Sequence, residues 1–156
     1  MEQIAIFPGS FDPFTRGHAA VVEEALRLFD KVVIAIGHNP AKRGMLSIEA
    51  RKSLIERVYS GDGRVEVTTY TTLTGDEARR VGAKTIVRSV RNANDFEYER
   101  TMDHANRAIF PELRTVVLIA PAEVEHISSS LVRELRAFGH NTDMLLPEGI
   151  TLEEFL

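Results

Sequence analysis

The chain of 156 residues predicts an α/β protein: a Rossmann-like, doubly wound fold with a five-stranded parallel sheet, built as one domain over residues 1–156. Three observations predict it. Short runs rich in β-branched residues alternate with stretches of helical periodicity, about five times over. Several runs, KVVIAIG above all, are apolar without interruption, as in strands covered on both faces of a parallel sheet. No linker, repeat or low-complexity tract divides the chain, and its length suits one core.

The elements follow in order. Residues 3–7 (QIAIF) form the first strand, and residues 18–29 a helix with Val21, Val22, Ala25, Leu26 and Phe29 on one stripe. Residues 31–37 form the second strand. Ser47 caps a helix over residues 47–59, whose apolar positions are Ile48, Leu54, Ile55 and Val58. Residues 64–70 (RVEVTTY) alternate as a third strand. Thr74-Gly-Asp-Glu77 reads as a capping box opening a short helix that ends near Gly82. Residues 84–87 and 115–119 are the last two strands, with helices over 95–109 and 129–138.

In such a fold the ligand sits beyond the carboxyl ends of the strands, near the switch in strand order. That rule selects the loops over residues 8–17, 37–46, 71–75, 88–94 and 120–128. They carry or adjoin Ser10, His18, Lys42, Arg43, Arg88, Arg91 and a serine triplet. Hydroxyls, guanidinium forks and helix starts in one place suit a polyanionic ligand.

Composition narrows the chemistry. The hydrophobic fraction of 44% and charged fraction of 27% are those of an ordinary globular protein. The absence of cysteine excludes disulfides, thiolate catalysis and cysteine-bound metal. A net charge of −4 argues against a general nucleic-acid or membrane-surface binder, though not against a local cationic cleft. No apolar run is long enough to span a bilayer, Met1-Glu2-Gln3 leads straight into a strand, and no leader is expected. The cytoplasm is the expected compartment.

Three constellations carry the function. The first is GSFDPFTRGH, from Gly9 to His18. Gly17 lets a ligand approach the backbone, and His18 at a helix start can donate to a phosphate oxygen. A plain turn with a capping histidine is the competing reading. The stretch contains neither the Gly-x-Gly-x-x-Gly dinucleotide fingerprint nor a Walker pattern. The second is Ile127-Ser-Ser-Ser130 ahead of a helix, where serines serve as caps or as phosphate ligands. The third runs from Arg88 to Glu99 (RSVRNANDFEYE); its two arginines can aim at phosphates or pair with the acidic run that follows. Asp12 is expected to order its own turn, and the sequence offers no carboxylate cage for a metal.

The first stretch resembles the signature of the nucleotidylyltransferase superfamily, in the threonine version of its His-x-Gly-His motif. With the Arg88–Glu99 segment, Lys42 and the serine triplet in the same order and spacing, the chain resembles bacterial phosphopantetheine adenylyltransferases over nearly its whole length. The resemblance implies transfer of an adenylyl group from ATP to 4′-phosphopantetheine, giving dephospho-coenzyme A and pyrophosphate. It implies His18 as the catalytic residue, with Ser10, Lys42, Thr74 and Arg88 on the acceptor. It implies Ser10, Phe11, His18, Ser89, Val90, Arg91, Glu99, Val124, Glu125, His126, Ile127, Ser128, Ser129 and Ser130 on ATP. It further implies magnesium bound through the nucleotide and a homohexamer. Ser10 stands where threonine is frequent, Ser89 where glycine is usual, and Glu123-Val-Glu-His126 where an aromatic residue often precedes the serines. A nucleotidylyltransferase with another nucleotide or acceptor, and a non-catalytic nucleotide sensor, are the rival readings.

Overall fold

The computed structural model describes residues 1–156. Its elements are β1 (Ile4–Gly9), α1 (Arg16–Leu26), β2 (Lys31–Gly37), α2 (Ile48–Val58), β3 (Val65–Tyr70), α3 (Thr74–Val81), β4 (Thr85–Val90), α4 (Ala93–Ile109), β5 (Arg114–Ile119) and α5 (Ser129–Ala137), with short 3-10 turns after β5 and near the C-terminus. All five strands are parallel, in the order β3-β2-β1-β4-β5. The winding therefore reverses between β1 and β4, and the loops leaving those two strands open a crevice at the carboxyl edge.

Strands β1 and β2 are apolar on both sides because both sides are covered. Ala5 and Phe7 of β1 and Val32, Ile34 and Ile36 of β2 join the larger core, with Val21 and Val22 of α1, Leu54 and Ile55 of α2 and Val132 of α5. The alternate residues Ile6 and Ala35 join a smaller core with Ala78 of α3, Ile86, Phe110 and Leu113. Helix α4 contributes little to either core; Glu99 is its one buried residue. No helix is long and apolar enough to cross a membrane.

Two expectations change here. Strand β4 runs on to Val90 rather than stopping at Val87, so Arg88 and Ser89 are strand residues, paired with Val117 and Leu118 of β5. The Thr74–Glu77 capping box is absent. Leu73 holds the cap position without a side-chain bond. The Thr74 hydroxyl instead meets the Tyr70 hydroxyl at 2.8 Å, and Glu77 is buried against Arg80. The helix still ends at Gly82, whose φ of 78° places it in the left-handed region.

Candidate active site

The first loop is built to carry one histidine. Phe11, at φ 49°, turns its buried ring between Phe7 and Phe14, and a side chain on Gly9 would collide with that ring. Thr15 caps α1, and His18 is the third residue of the helix rather than its first. The His18 amide donates to Thr15 Oγ1 at 3.4 Å, and the Thr15 amide donates to His18 Nδ1 at 2.9 Å. This is a capping box with histidine in the place of glutamate or glutamine. The cap reading and the ligand reading of Thr15-Arg-Gly-His18 are thus compatible, since the cap uses only one ring nitrogen.

That bond sets the tautomer. Nδ1 accepts, so in the neutral ring the proton is on Nε2. Burial, followed by the positive charges of Arg88 and Arg91, lowers the His18 pKa to about 4. The ring is stacked on Phe14 and set edge-on to Phe11. At neutral pH His18 is a fixed, uncharged donor with a single N–H to offer.

The expectation that Asp12 orders its own turn is overturned: its carboxylate reaches across to the loop after β2. Its carboxylate accepts from the amides of Met45 and Leu46, each at 2.8 Å. Arg51 Nη2 stands 3.4 Å from Asp12 Oδ2. The same guanidinium donates to Leu46 O at 3.1 Å and to Ser10 O at 3.2 Å. Asp12 and Arg51 are both buried. This clasp ties the Ser10 loop to the Lys42 loop, and a side chain on Gly44 would intrude on it.

On the other side of the crevice, Arg88 Nε donates to both oxygens of buried Glu99, at 2.9 and 3.0 Å, and Nη1 donates to Pro8 O at 3.0 Å. Arg91 Nε lies 3.6 Å from Asp95, and its Nη1 donates to Glu125 O at 3.3 Å. Both arginines make the ion pairs that the acidic run offered, and both also line the cleft. Ser128 is the N-cap of α5, its hydroxyl accepting from the Leu131 amide at 3.1 Å. Ser129 Oγ donates to Pro13 O at 2.8 Å. The Ser129 and Ser130 amides that open α5 have no intrahelical partner and remain available to an anion.

These loops border three openings, the first of which shares lining residues with each of the others. A cleft of about 520 Å³ gathers Ser10, Phe11, His18, Arg88, Ser89, Arg91, Glu99, Val124, Ile127, Ser128 and Ser129. A second, of about 770 Å³, holds Lys42 and shares Ser10 with the first. A third, of about 250 Å³, holds Thr74 and shares Arg88 and Glu99 with the first. Lys42 and Arg88 therefore line different openings. Val90, Glu125, His126 and Ser130 line none of the three. Val90 is packed in the sheet, and the turn over residues 122–124 leaves Glu125 and His126 facing outward.

Sequence reasoning missed Arg133 and Tyr98. Arg133, in the first turns of α5, lines the Lys42 opening, while Tyr98 of α4 lines the first and third. Helical spacing held the signal for both: Arg133 lies one turn beyond Ser129 and Ser130, and Tyr98 is next to Glu99. No cluster of three metal-ligating side chains exists. The cleft carboxylates Asp12, Asp95 and Glu99 each already face an arginine, so the residues present do not form a resident metal site.

A doubly wound sheet whose crevice presents a helix-borne histidine donor, paired arginines and a serine-capped helix start defines a nucleotidyltransferase. In agreement, the Cytidylyltransferase-like family profile matches residues 6–135. Phosphopantetheine adenylyltransferase of Porphyromonas gingivalis is 47% identical over 152 residues, covering 97% of this chain and 99% of that one. The protein of that name from Latilactobacillus sakei is 46% identical, covering 97% of this chain and 92% of its own. This chain belongs to the phosphopantetheine adenylyltransferase family. The fold is also shared by a Francisella tularensis bifunctional NMN adenylyltransferase/ADP ribose pyrophosphatase, crystallised with AMP and a manganese ion, at TM-score 0.69 and 21% identity. The match covers 96% of this chain but 46% of that one, so this chain spans about half of that protein's length.

Proposed function

We propose that this chain joins the adenylyl group of ATP to 4′-phosphopantetheine by direct in-line displacement at the α-phosphate, releasing pyrophosphate and giving dephospho-coenzyme A. One observation carries the mechanism: the Nε2–H of His18, its tautomer set by Thr15, in the cleft between the Lys42 and Thr74 openings. An acceptor phosphate is already anionic at neutral pH and needs no general base. Its oxygen attacks the α-phosphorus, the α–β anhydride bond breaks, and the electron pair leaves with pyrophosphate. The protein's task is alignment and relief of crowded negative charge. His18 donates to an α-phosphate oxygen as charge builds there. A histidine with a pKa of about 4 does this without giving up its proton.

In this reading Ser10, shared by two openings, touches both substrates; Lys42 and Arg88 hold the acceptor phosphate; and Thr74 lines the pantetheine arm. Arg91, Glu99, Ser89 and the 124–130 segment hold ATP, Glu99 partly by fixing Arg88. Magnesium enters with ATP, bound through its phosphates. A homohexamer belongs to this reading through the family resemblance, and association of copies is supported by α4, which leaves Phe96 and Ile109 exposed, and by the edge position of β5; light scattering tests it. The cytoplasm is the proposed compartment. The deciding assay is pyrophosphate release from ATP and phosphopantetheine. Release that does not depend on the acceptor, or that another acceptor supports better, refutes the reading.

A further inference from the structure

The bond that sets the His18 tautomer does not by itself aim the ring. Both contacts with Thr15, to its amide at 2.9 Å and to its hydroxyl at 3.1 Å, fall on Nδ1. A hydrogen bond tolerates roughly 30° of misalignment, and the histidine χ2 torsion has broad wells. The Nε2–H, at the far end of the imidazole, is therefore aimed by something else. Three phenylalanine rings stand around it. Phe14 is stacked on the imidazole, with centroids 5.4 Å apart and planes inclined by 29°; Phe11 meets it edge-on at 5.0 Å, and Phe7 is tilted at 6.3 Å.

Phe7 and Phe11 also line the first opening, where a ligand can touch them. Phe14 is 0% exposed and lines none of the three. Its only route to the chemistry is through its neighbours. Of the three rings it alone lies face to face with His18, and a turn of the imidazole about Cβ–Cγ drives atoms into that face. Phe14 is held in turn. Tyr59, the C-cap of α2, stands edge-on to it with centroids 6.0 Å apart. The Tyr59 hydroxyl is buried without a partner, so its ring, not its hydroxyl, makes the useful contact. The same helix carries Arg51, which bonds Ser10 O. Helix α2 thus backs both ends of the first loop, Ser10 through Arg51 and His18 through Tyr59 and Phe14.

We propose that Phe14 is the positioning residue of His18: its face fixes the plane of the imidazole, and so the direction of Nε2–H, with Tyr59 as its backing. A catalytic donor must be held within about 10–20° of its productive direction, which the Thr15 bond alone does not do. What the aim accomplishes rests on the adenylyl-transfer reading; the aim itself rests on packing alone.

The test uses the full chain with Phe14→Leu, with His18→Ala, with both together, and with Phe155→Leu, which thins the same hydrophobic core outside the site. In pyrophosphate release from ATP and phosphopantetheine, Phe14→Leu should lower kcat roughly 10- to 100-fold and leave both KM values within about twofold. Added to His18→Ala, the same substitution should change kcat by less than about twofold, because the residue it aims is gone. Phe155→Leu should lower the melting temperature comparably and leave kcat at the wild-type value. A crystal structure of Phe14→Leu should show Nδ1 still on the Thr15 amide and the imidazole plane turned by more than about 20°, or split between two orientations. That readout needs no turnover, so it judges the aim of the ring even where the adenylyl-transfer reading fails. Phe14→Met conserves volume without a flat face, and it is scored in the same way if the leucine chain does not fold. An imidazole that keeps its plane, or an unchanged kcat, overturns the proposal. So does a loss of kcat that repeats in full on the His18→Ala background or that Phe155→Leu matches, since Phe14 would then be ordinary core.

Discussion

Replacing His18 separates its two bonds. His18→Ala removes the Nε2–H donor and also the acceptor that Nδ1 offers to the Thr15 amide at 2.9 Å. Loss of a donor aimed at developing charge costs about 2.7–4 kcal/mol in activation, so kcat should fall roughly 10²–10³-fold. ATP affinity should change little, since the bond strengthens only in the transition state. Thr15 still caps the helix, but its buried amide loses its acceptor, which should cost about 1–3 kcal/mol of stability. His18→Gln restores the capping box, because glutamine is a usual residue at that helix position, and should return the melting temperature to the wild-type value. The two variants also differ from wild type in acid. The folded pKa of about 4 lies below the ordinary value near 6.5. Between those values the unfolded chain binds the proton and the folded chain does not. The stabilisation is complete above pH 6.5 and is lost as pH falls towards 4, by at most about 3 kcal/mol. Urea melts of wild type and His18→Gln should agree at pH 7.5 and differ in slope against pH between 6.5 and 4, the wild type losing more. A kcat for folded His18→Ala within tenfold of wild type, or identical pH slopes, would refute this account of the residue.

Two further perturbations probe the substrate ends. Lys42→Ala should raise the KM for phosphopantetheine far more than that for ATP, and dephosphorylated pantetheine should be a poor acceptor even for wild type; comparable use of the two acceptors rules out the phosphate-holding role. Ser129→Ala with Ser130→Ala should weaken ATP several-fold in equilibrium binding and leave AMP, which lacks the outer phosphates, unchanged. Equal losses for ATP and AMP, or a change in melting temperature alone, would make both serines structural.

The sheet was legible because its central strands β1 and β2 are buried on both faces, and continuous runs such as residues 31–37 have no other common explanation. Arg88 and Ser89 were harder to place in a strand. At the carboxyl end of β4 the side chains meet a cleft, not a core, so polarity there does not mark the end of pairing. Thr74–Glu77 matched a capping box by spacing, but tertiary partners decided the outcome: Tyr70 takes the hydroxyl and Arg80 the carboxylate. The helix-borne His18 was readable from a local motif. The role of Asp12 was not, because its partners Met45 and Leu46 lie 33 and 34 residues away and amide donors leave no trace in side-chain identity. Local patterns revealed what lines the cleft, and remote ones concealed what holds the loops together.

That concealed contact yields the last prediction. Asp12 and Arg51 are 6% and 7% exposed, so each charge has lost most of its hydration and depends on the other. A buried pair adds little net stability over an apolar substitute, but removing one partner strands the other at about 3–5 kcal/mol. Arg51→Met should therefore bring a domain of ordinary stability, about 5–15 kcal/mol, near its margin while remaining folded in the cold. Asp12→Asn in the same chain removes the stranded charge while keeping an oxygen for one of the two amides. The double variant should then be more stable than the sum of single costs by about 1–3 kcal/mol. The clasp also fixes Ser10 relative to the Lys42 loop through Ser10 O and the Met45 and Leu46 amides. The KM for phosphopantetheine should accordingly rise in Arg51→Met while AMP binding to the first cleft holds. Additive stability losses would show two independent contacts in place of one clasp, and an unchanged acceptor KM in the folded variant would confine the pair to the scaffold.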